Sequence, residues 1–169
     1  MGFRTFIQAA ILVAALAGCA SFDGYSLVPG KSTAAEVEAT MGPPHERYAA
    51  PGGDSVWMYS RQPIGRRNFA VTVGANGVVR SVEQRLTEAN LRSLVAGKST
   101  MQQARELLGP PWLVTRNDRM QRNVWSYKMY NLVDIEHTLH VQFSDDGLVR
   151  EVMMLRDWPD EDFFFPRFR

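Results

Sequence analysis

The sequences PGKSTAAEVEATMGPP at residues 29–44 and AGKSTMQQARELLGPP at residues 96–111 share a Gly-Lys-Ser-Thr segment and a Gly-Pro-Pro ending. Gly-Lys-Ser/Thr also ends a nucleotide-binding P-loop, in which another glycine lies five positions before the Gly-Lys pair. Tyr25 and Arg92 occupy that position in the two copies. The spacing therefore argues against a P-loop, and we expect neither a nucleotide nor any other cofactor.

Each copy instead has the features of a short capped helix. Thr33 with Glu36, and Thr100 with Gln103, have the spacing of a capping box, in which two side chains satisfy backbone donors of the first helical turn. The Gly-Pro-Pro ending is typical of a helix C-terminus, because glycine tolerates the closing turn and proline cannot continue the helix. The pattern predicts one short helix in each copy.

The N-terminal residues have the pattern of a lipoprotein signal. Arg4 is the only early charge, an apolar stretch runs from Phe6 to Leu16, and Leu-Ala-Gly-Cys ends at Cys19, the sole cysteine of the chain. This ending resembles a bacterial lipobox, which implies cleavage after residue 18 and a diacylglycerol on the Cys19 thiol. An ordinary signal peptide is the alternative, as is a short membrane helix, although a spanning helix needs about 20 apolar residues.

A lipid anchor also predicts where the protein resides. More than one acyl chain, palmitate among them, gives stable anchoring, because each buried CH₂ contributes ~0.8 kcal/mol. Residue 20 is alanine rather than aspartate, which by resemblance to bacterial lipoproteins favours the outer membrane with the domain facing the periplasm. We therefore predict a signal peptide at residues 1–18 and a lipidated linker at residues 19–24.

The charge balance excludes some classes of partner. The chain has 19 Lys and Arg against 18 Asp and Glu, and loss of Arg4 with the signal peptide leaves 18 of each. A mature net charge of zero predicts neither nucleic-acid binding nor attraction to a membrane through a polybasic patch.

The repetition extends beyond the two helices. Trp57-x-Tyr59 matches Trp125-x-Tyr127, and Gly-x-Val-Arg occurs at both residues 77–80 and 147–150. A constant order with small changes of offset is typical of a duplicated structural unit with loop insertions. We expect a first unit at residues 25–86, a second at 87–156, and an acidic and aromatic tail at 157–169.

Each unit is expected to be α+β, with a helix or helix pair packed on a three-stranded antiparallel sheet. Asn76-Gly77 and Asp146-Gly147 predict tight hairpins between the last two strands. Val149 and Val152 are three apart, as are their counterparts in the first unit, which indicates a bulge. The strands are expected at about 55–61, 67–74, 78–85, 123–130, 136–143 and 148–155, with an extra helix at about 87–95.

A helix, Gly-Pro-Pro, Trp-x-Tyr and two further strands behind a lipobox resemble the SmpA/OmlA family of outer-membrane lipoproteins, which includes BamE-like proteins. The resemblance covers most of residues 25–155 in tandem, and two joined units also resemble the arrangement of the β-lactamase-inhibitor protein. It implies a helix pair on a three-stranded sheet and a role in outer-membrane β-barrel assembly. No lipid- or partner-contacting residue of the family can be matched to this chain.

The sequence shows no catalytic constellation. His137 and His140 are three apart in a predicted strand and so point to opposite faces, and His45 follows two prolines without a neighbouring ligand. We therefore expect no metal site and no enzyme activity. The Trp-x-Tyr pairs are expected in the core, with ligand stacking as the alternative.

Two segments are candidates for partner binding. Arg61, Arg66 and Arg67 lie in a predicted loop, and the two alternatives for them are solvation and contact with an anionic lipid headgroup. The tail contains Phe163, Phe164, Phe165 and Phe168, whose exposure to water would cost about 25 cal/mol per Å² of apolar surface. These phenylalanines either fold back over a sheet edge of the same domain or dock on a partner or membrane.

These features predict a lipid-anchored periplasmic binding or scaffold module that holds another envelope protein. The outer-membrane assembly machinery is one candidate partner. The alternative is a periplasmic inhibitor or ligand-sequestering protein of the β-lactamase-inhibitor type.

Replacing Cys19 with alanine tests the anchor. We expect Cys19→Ala to leave uncleaved precursor in the inner membrane, because the atom that accepts the lipid is gone. Membrane fractionation with immunoblotting measures this, and mature protein in the outer-membrane fraction would refute the lipobox interpretation.

Overall fold

The structure is a computed structural model that describes residues 23–130 and 135–157. Cys19 and the phenylalanines of the C-terminal tail lie outside the described residues. Among the helices of the described part, none combines the length and apolar character needed to cross a membrane.

Three α-helices and eight β-strands form the regular structure of the described residues. The helices are α1 (Ala34–Met41), α2 (Glu88–Arg92) and α3 (Met101–Leu108), and a 3₁₀ turn lies at Pro51–Gly53. The strands are β1 (Glu46–Ala49), β2 (Ser55–Ser60), β3 (Asn68–Val73), β4 (Val79–Gln84), β5 (Leu113–Asn117), β6 (Arg122–Tyr130), β7 (Glu136–Phe143) and β8 (Val149–Arg156).

The strands form two four-stranded sheets, ordered β1-β2-β3-β4 and β5-β6-β7-β8. The α+β class is confirmed, and the six expected strands lie within one or two residues of their predicted positions. The expectation of three strands in each sheet is wrong, because β1 and β5 add a fourth. Both are short edge strands, and all five residues of β5 are exposed. An edge strand that buries neither face lacks the alternation that reveals a strand in the sequence.

The density of contacts divides the chain into two compact units that differ from simple halves. The first is Met1–Trp57 with Val71–Val82, and the second is Met58–Ala70 with Glu83–Arg169. The boundaries of the two sequence repeats, at residues 25–86 and 87–156, stay a prediction.

In the first unit, the Gly-Lys-Ser-Thr segment pairs with the beginning of β4. The N–H of Gly30 donates to the carbonyl of Val79, and the N–H of Val79 donates to the carbonyl of Ser32, both at 2.8 Å. One step further along, the N–H of Ala34 donates to the carbonyl of Gly77 at 2.8 Å. The segment therefore acts as a short strand that holds the start of α1 against the β3–β4 turn.

The capping box of α1 is present as predicted. Thr33 Oγ1 accepts from the N–H of Glu36 at 3.3 Å, and the Glu36 carboxylate accepts from the N–H of Thr33 at 2.7 Å. Val37 and Met41 are buried, and Gly42 ends the helix with φ 79°. The helix thus turns its apolar positions inward and closes at the predicted glycine.

The rest of the first unit packs apolar side chains under charged ones. The Arg47 guanidinium lies 4.2 Å from the centre of the Trp57 ring and also forms an ion pair with Glu38. Arg80 and Asp54 form a second ion pair at 2.8 Å. The buried apolar residues of this unit are Leu27, Val37, Met41, Val56, Trp57, Val71, Val73 and Val79.

The second unit makes the same contacts with its own Gly-Lys-Ser-Thr segment. The N–H of Gly97 donates to the carbonyl of Val149 and the N–H of Val149 donates to that of Ser99, both at 2.8 Å. The N–H of Met101 donates to the carbonyl of Gly147 at 2.9 Å. Donors that a phosphate-binding loop would direct at its ligand are thus used for pairing with β8, and Lys98 is exposed.

The second helix of this type, α3, is capped in the same way. Thr100 Oγ1 accepts from the N–H of Gln103 at 3.1 Å, and the Gln103 amide oxygen accepts from the N–H of Thr100 at 3.0 Å. Ala104 and Leu108 are fully buried. The repeated sequence therefore encodes a repeated local structure.

The core of the second unit lies between the helices and one face of the β5–β8 sheet. Trp125 and Phe143 pack with ring centres 4.7 Å apart at 58°. Burial of Trp125 and Tyr127, like that of Trp57 and Tyr59, confirms the prediction that both Trp-x-Tyr pairs are core residues. The buried cluster consists of Leu86, Leu94, Ala104, Leu108, Trp125, Tyr127, Met129, Leu139, Val141, Phe143 and Val149.

The bulge expected in the last strand is present in β8. Val152 pairs with Val141, but Phe143 pairs with Val149, so Arg150 is the extra residue. Because Val141 and Phe143 share the core face, the bulge brings Val149 and Val152 to that same face despite their spacing of three.

Substitutions in the second Gly-Lys-Ser-Thr segment test its structural role. We expect Thr100→Ala to lower the free energy of unfolding by about 1 kcal/mol, because a cap is lost. Lys98→Ala is the matched control and should change it by less than ~0.5 kcal/mol, since its side chain is exposed. Urea unfolding followed by circular dichroism measures both, and a larger effect of Lys98→Ala would contradict the helix-cap interpretation.

Candidate interaction site

The structure describes the three loop arginines named as candidates for partner contact, Arg61, Arg66 and Arg67. The other predicted site residues, Cys19, Phe163, Phe164, Phe165 and Phe168, lie outside the described residues and stay predictions. All three arginines belong to the second unit, in the loop between β2 and β3.

Arg66 is engaged in contacts within the second unit. Its guanidinium forms an ion pair with Glu136 at 2.7 Å, donates to the carbonyl of Ile64 at 2.8 Å, and lies 5.5 Å from the centre of the Tyr130 ring. Its side chain is partly buried. Arg66 therefore fastens the loop to the ends of β6 and β7, and its charge is already paired with a carboxylate.

Gln62, in the same loop, occupies an edge of β6. Its amide nitrogen donates to the carbonyl of Lys128 at 2.7 Å, and its amide oxygen accepts from the N–H of Lys128 at 2.7 Å. Since β5 pairs with β6 only as far as Ser126, the Gln62 side chain satisfies the next outward-facing backbone groups of β6. One amide thus replaces one residue of a paired strand.

Asn68 joins β3 to the end of α3 within the second unit. Its buried side-chain nitrogen donates to the carbonyls of Leu108 at 2.8 Å and Pro110 at 3.0 Å. Gly109 between them has φ 80°, and a Cβ there would lie 2.8 Å from Met58 Cε and 2.9 Å from the Asn68 nitrogen. Glycine is therefore required at this position both by its backbone conformation and by the close approach of two side chains.

A charged triad lies on the polar face of the β5–β8 sheet. Lys128 Nζ donates to Thr138 Oγ1 at 2.7 Å and to Asp157 at 2.8 Å, while Thr138 Oγ1 donates to Asp157 at 2.6 Å. Burial acts to raise the pKa of Asp157, but the hydrogen bonds from Lys128 and Thr138 outweigh it, so that the pKa lies below its ordinary value. The triad fastens the end of β8 to β6 and β7.

Ser126 and His140 are neighbours on the same face, with Ser126 Oγ 2.9 Å from His140 Nδ1. Burial, reinforced by the charge of Lys128, lowers the pKa of His140 below its ordinary value, although Asp157 acts in the opposite direction. A serine–histidine pair is a familiar nucleophile and base, but Ser126 is only 2% exposed. A substrate therefore has no access to the hydroxyl, and the pair is structural.

His137 and His140 lie on opposite faces of β7, as predicted from their spacing. His137 Nδ1 is 2.8 Å from the carbonyl of Ile135, whereas His140 contacts Ser126. Within the described residues, no group of three or more His, Cys, Asp or Glu side chains is arranged to hold a metal ion.

The edge strand β5 is the exposed feature that the sequence did not reveal. Together with the preceding tryptophan, it presents Trp112, Leu113 and Val114 to solvent. The sequence signal for β5 was a run of three apolar residues after a Pro-Pro pair. Because these residues do not alternate with polar ones, the run did not indicate a strand. Nothing in the sequence indicated that Gln62 and Asn68 bind backbone groups distant in the chain.

The second unit is thus a helix-on-sheet α+β unit whose polar side chains bind its own backbone and one another. Residues 84–153, which contain α2, α3, β5 to β7 and most of β8, match the family model described as the outer membrane protein assembly factor BamE domain. The resemblance to the SmpA/OmlA (BamE-like) family is therefore confirmed over these residues.

Other comparisons add little. Among curated proteins, none matches this chain. A DUF4309 family protein (YjgB) from Bacillus subtilis subsp. subtilis strain 168 is 17% identical, over 79% of this chain and 84% of its own, with a TM-score of 0.32. A likeness at that TM-score carries no argument here.

The triad predicts a specific dependence of stability on pH. Because the pKa of Asp157 is lower in the folded chain, its ionised form stabilises the fold above the ordinary pKa of 3.8, and this contribution is lost as the pH falls through the folded-state pKa. We expect Asp157→Asn to lower the free energy of unfolding by roughly 0.5–1 kcal/mol at pH 7.

The comparison with the wild type is made by urea unfolding at several pH values. The difference between the two proteins should shrink as the pH falls below 3.8. A difference that stays the same at every pH would contradict a role for the Asp157 charge.

Proposed function

We propose that this protein is an outer-membrane-anchored periplasmic lipoprotein that serves as a non-catalytic binding and scaffold module in cell-envelope or outer-membrane protein assembly. The observation that carries the proposal is the match of residues 84–153 to a domain described as an outer membrane protein assembly factor. The match covers the helices and sheet of one packed unit, so it concerns a folded structure rather than a short motif.

The contacts of the polar residues support a binding role rather than catalysis. Ser126, His140, Lys128, Thr138 and Asp157 are titratable or nucleophilic groups that lie near one another on the sheet. They form two hydrogen-bonded groups, Ser126 with His140 and Lys128 with Thr138 and Asp157, and the serine of the pair nearest to a catalytic arrangement is buried. Such a network rigidifies a sheet, and a rigid sheet is a suitable platform for a partner.

The anchor is proposed from the sequence. A diacylglycerol on Cys19 would hold the domain at the periplasmic face of the outer membrane, and the short linker at residues 19–24 would keep it close to the surface. The membrane itself and another envelope protein are the proposed partners. Confinement to a surface raises the effective concentration of a partner confined to the same surface, so a modest interface is sufficient for a scaffold.

We also propose that the chain arose by tandem duplication of one SmpA/OmlA-like unit. The supporting observation is that two segments, each within its own unit, form the same three hydrogen bonds. Two go to the first residue of the last strand, and one goes to the glycine of the Asn-Gly or Asp-Gly turn before it. The two capping boxes agree as well.

Partner contacts by Arg66, Arg67 and the four C-terminal phenylalanines belong to the proposed binding role. For Arg66, such a contact would replace its ion pair with Glu136.

Deletion of the gene tests the assembly role. We expect the deletion strain to be more sensitive to a large antibiotic that an intact outer membrane excludes, because fewer barrel proteins are inserted correctly. Growth inhibition measures this, and a plasmid carrying the wild type or the Lys98→Ala control should restore resistance.

An intact barrier in the deletion strain would overturn the assembly role. That outcome is the one expected for the β-lactamase-inhibitor alternative, because loss of an inhibitor leaves the membrane unchanged.

A further inference from the structure

β5 has no strand on its outer side among the described residues, so one edge of the second unit's sheet is open there. It is the first strand in the order β5-β6-β7-β8, so it pairs with β6 on one side, and all five of its residues are exposed. Backbone N–H and C=O groups on an unpaired edge are donors and acceptors for another extended chain.

The contacts of Gln62 establish which backbone groups of β5 face outward. The N–H and C=O of Lys128 bond Gln62, so these backbone groups of β6 point away from β7. Backbone groups two residues apart in a strand point the same way, and those of Ser126 and Val124 therefore also point away from β7. Leu113 and Thr115 are opposite Ser126 and Val124, and so bond β6. The N–H and C=O of Val114 and Arg116 therefore face solvent.

On the core face of the sheet, the edge strand β5 carries an apolar side chain, Val114, at the border of the core. Val114 is opposite Trp125 in the register and so lies on the core face, yet it is 57% exposed. An apolar side chain arriving next to Val114 would continue the core that contains Trp125 and Phe143. Arg116 adds no uncompensated charge, because its guanidinium bonds Asp145 at 2.9 Å and Gln121 at 2.8 Å.

The opposite edge of the same sheet is protected. β8 contains the bulge at Arg150, and Arg150, Glu151 and Arg156 place charges along it. Bulges and charges are the usual means by which proteins prevent edge pairing. β5 has neither a bulge nor a proline, and its one charged residue is held by Asp145.

We propose that β5 is a strand-addition site for an extended, amphipathic segment of a partner polypeptide. The segment pairs with the outward N–H and C=O groups of Val114 and Arg116, and it places an apolar side chain next to Val114 and polar side chains on the opposite face. This inference rests on the proposed function in taking the partner to be another envelope protein.

A second copy of this chain is the less suitable occupant. Five residues of strand span about 17 Å, and pairing two folded domains along such an edge buries far less than the roughly 1,200 Å² of a stable dimer. An extended segment can follow the twist of the edge along its whole length, and main-chain hydrogen bonds then supply much of the affinity.

Peptide binding to the full-length protein in detergent tests the site. The probe is a blocked nine-residue peptide that alternates valine and threonine between terminal lysines. Binding is measured by fluorescence anisotropy, and amide hydrogen exchange is followed by NMR. We expect binding to slow exchange at the amides of Val114 and Arg116 at least tenfold, with no change along β8.

Three variants separate the contributions. Val114→Pro removes an outward donor while leaving the bonds between β5 and β6, and should weaken binding at least tenfold. Val114→Ala keeps the donor and should weaken it about threefold through lost apolar contact. Ile64→Ala, at an exposed side chain in another loop, is the matched control and should bind as the wild type does.

Several results would overturn the proposal. These are the absence of binding at millimolar peptide, unchanged binding by folded Val114→Pro, or protection at β8 instead of β5. Protection of the Val114 amide that depends on protein concentration without peptide would assign the edge to a second copy. If Val114→Pro does not fold, the wild-type protein is tested instead with the same peptide N-methylated along one edge. Equal affinity for the methylated and unmethylated peptides would overturn the proposal.

The peptide result and the permeability result can fail separately. Peptide binding with an intact barrier in the deletion strain would retain the strand-addition site and reject the assembly role. A leaky deletion strain without peptide binding would do the reverse.

Discussion

The short pairing between the Gly-Lys-Ser-Thr segment and the last strand is the constraint on which the second unit depends. Gly97 and Ser99 bond both backbone groups of Val149, and the capped helix α3 begins directly after them. The start of α3 is thereby fixed over the sheet, so that Ala104 and Leu108 enter the core at the same place as Val149. The first unit applies the same constraint with Gly30, Ser32 and Val79.

The polar residues of the second unit serve mainly to complete its secondary structure. Gln62 bonds the edge of β6 beyond the end of β5, Asn68 donates to the carbonyls at the end of α3, and the Lys128 triad holds the end of β8. Buried or half-buried polar groups are costly unless they are paired, and here each pairing also fixes one element boundary. What remains open is the edge of β5, which is why that strand is the natural place for an additional chain.

The proposed function agrees with this division between closed and open surfaces. A unit whose polar side chains pair with one another, whose Ser126 hydroxyl is buried and whose β5 edge is unpaired among the described residues is suited to holding another polypeptide. The BamE-domain match of residues 84–153 points to the same role from an independent direction. The proposed lipid anchor would make weak, reversible edge pairing sufficient, because it would keep the partners near each other.

The sequence by itself determined the capped helices, six of the eight strands in the described residues, the bulge in β8 and the burial of the Trp-x-Tyr pairs. These depend on local spacing, since caps, turns and alternating faces are set by residues a few positions apart. Only the tertiary structure revealed β1 and β5, because edge strands bury too little to show a pattern. It alone showed that Gln62 reaches Lys128 and that Asn68 reaches Leu108, since such bonds depend on how distant segments pack rather than on any local signal.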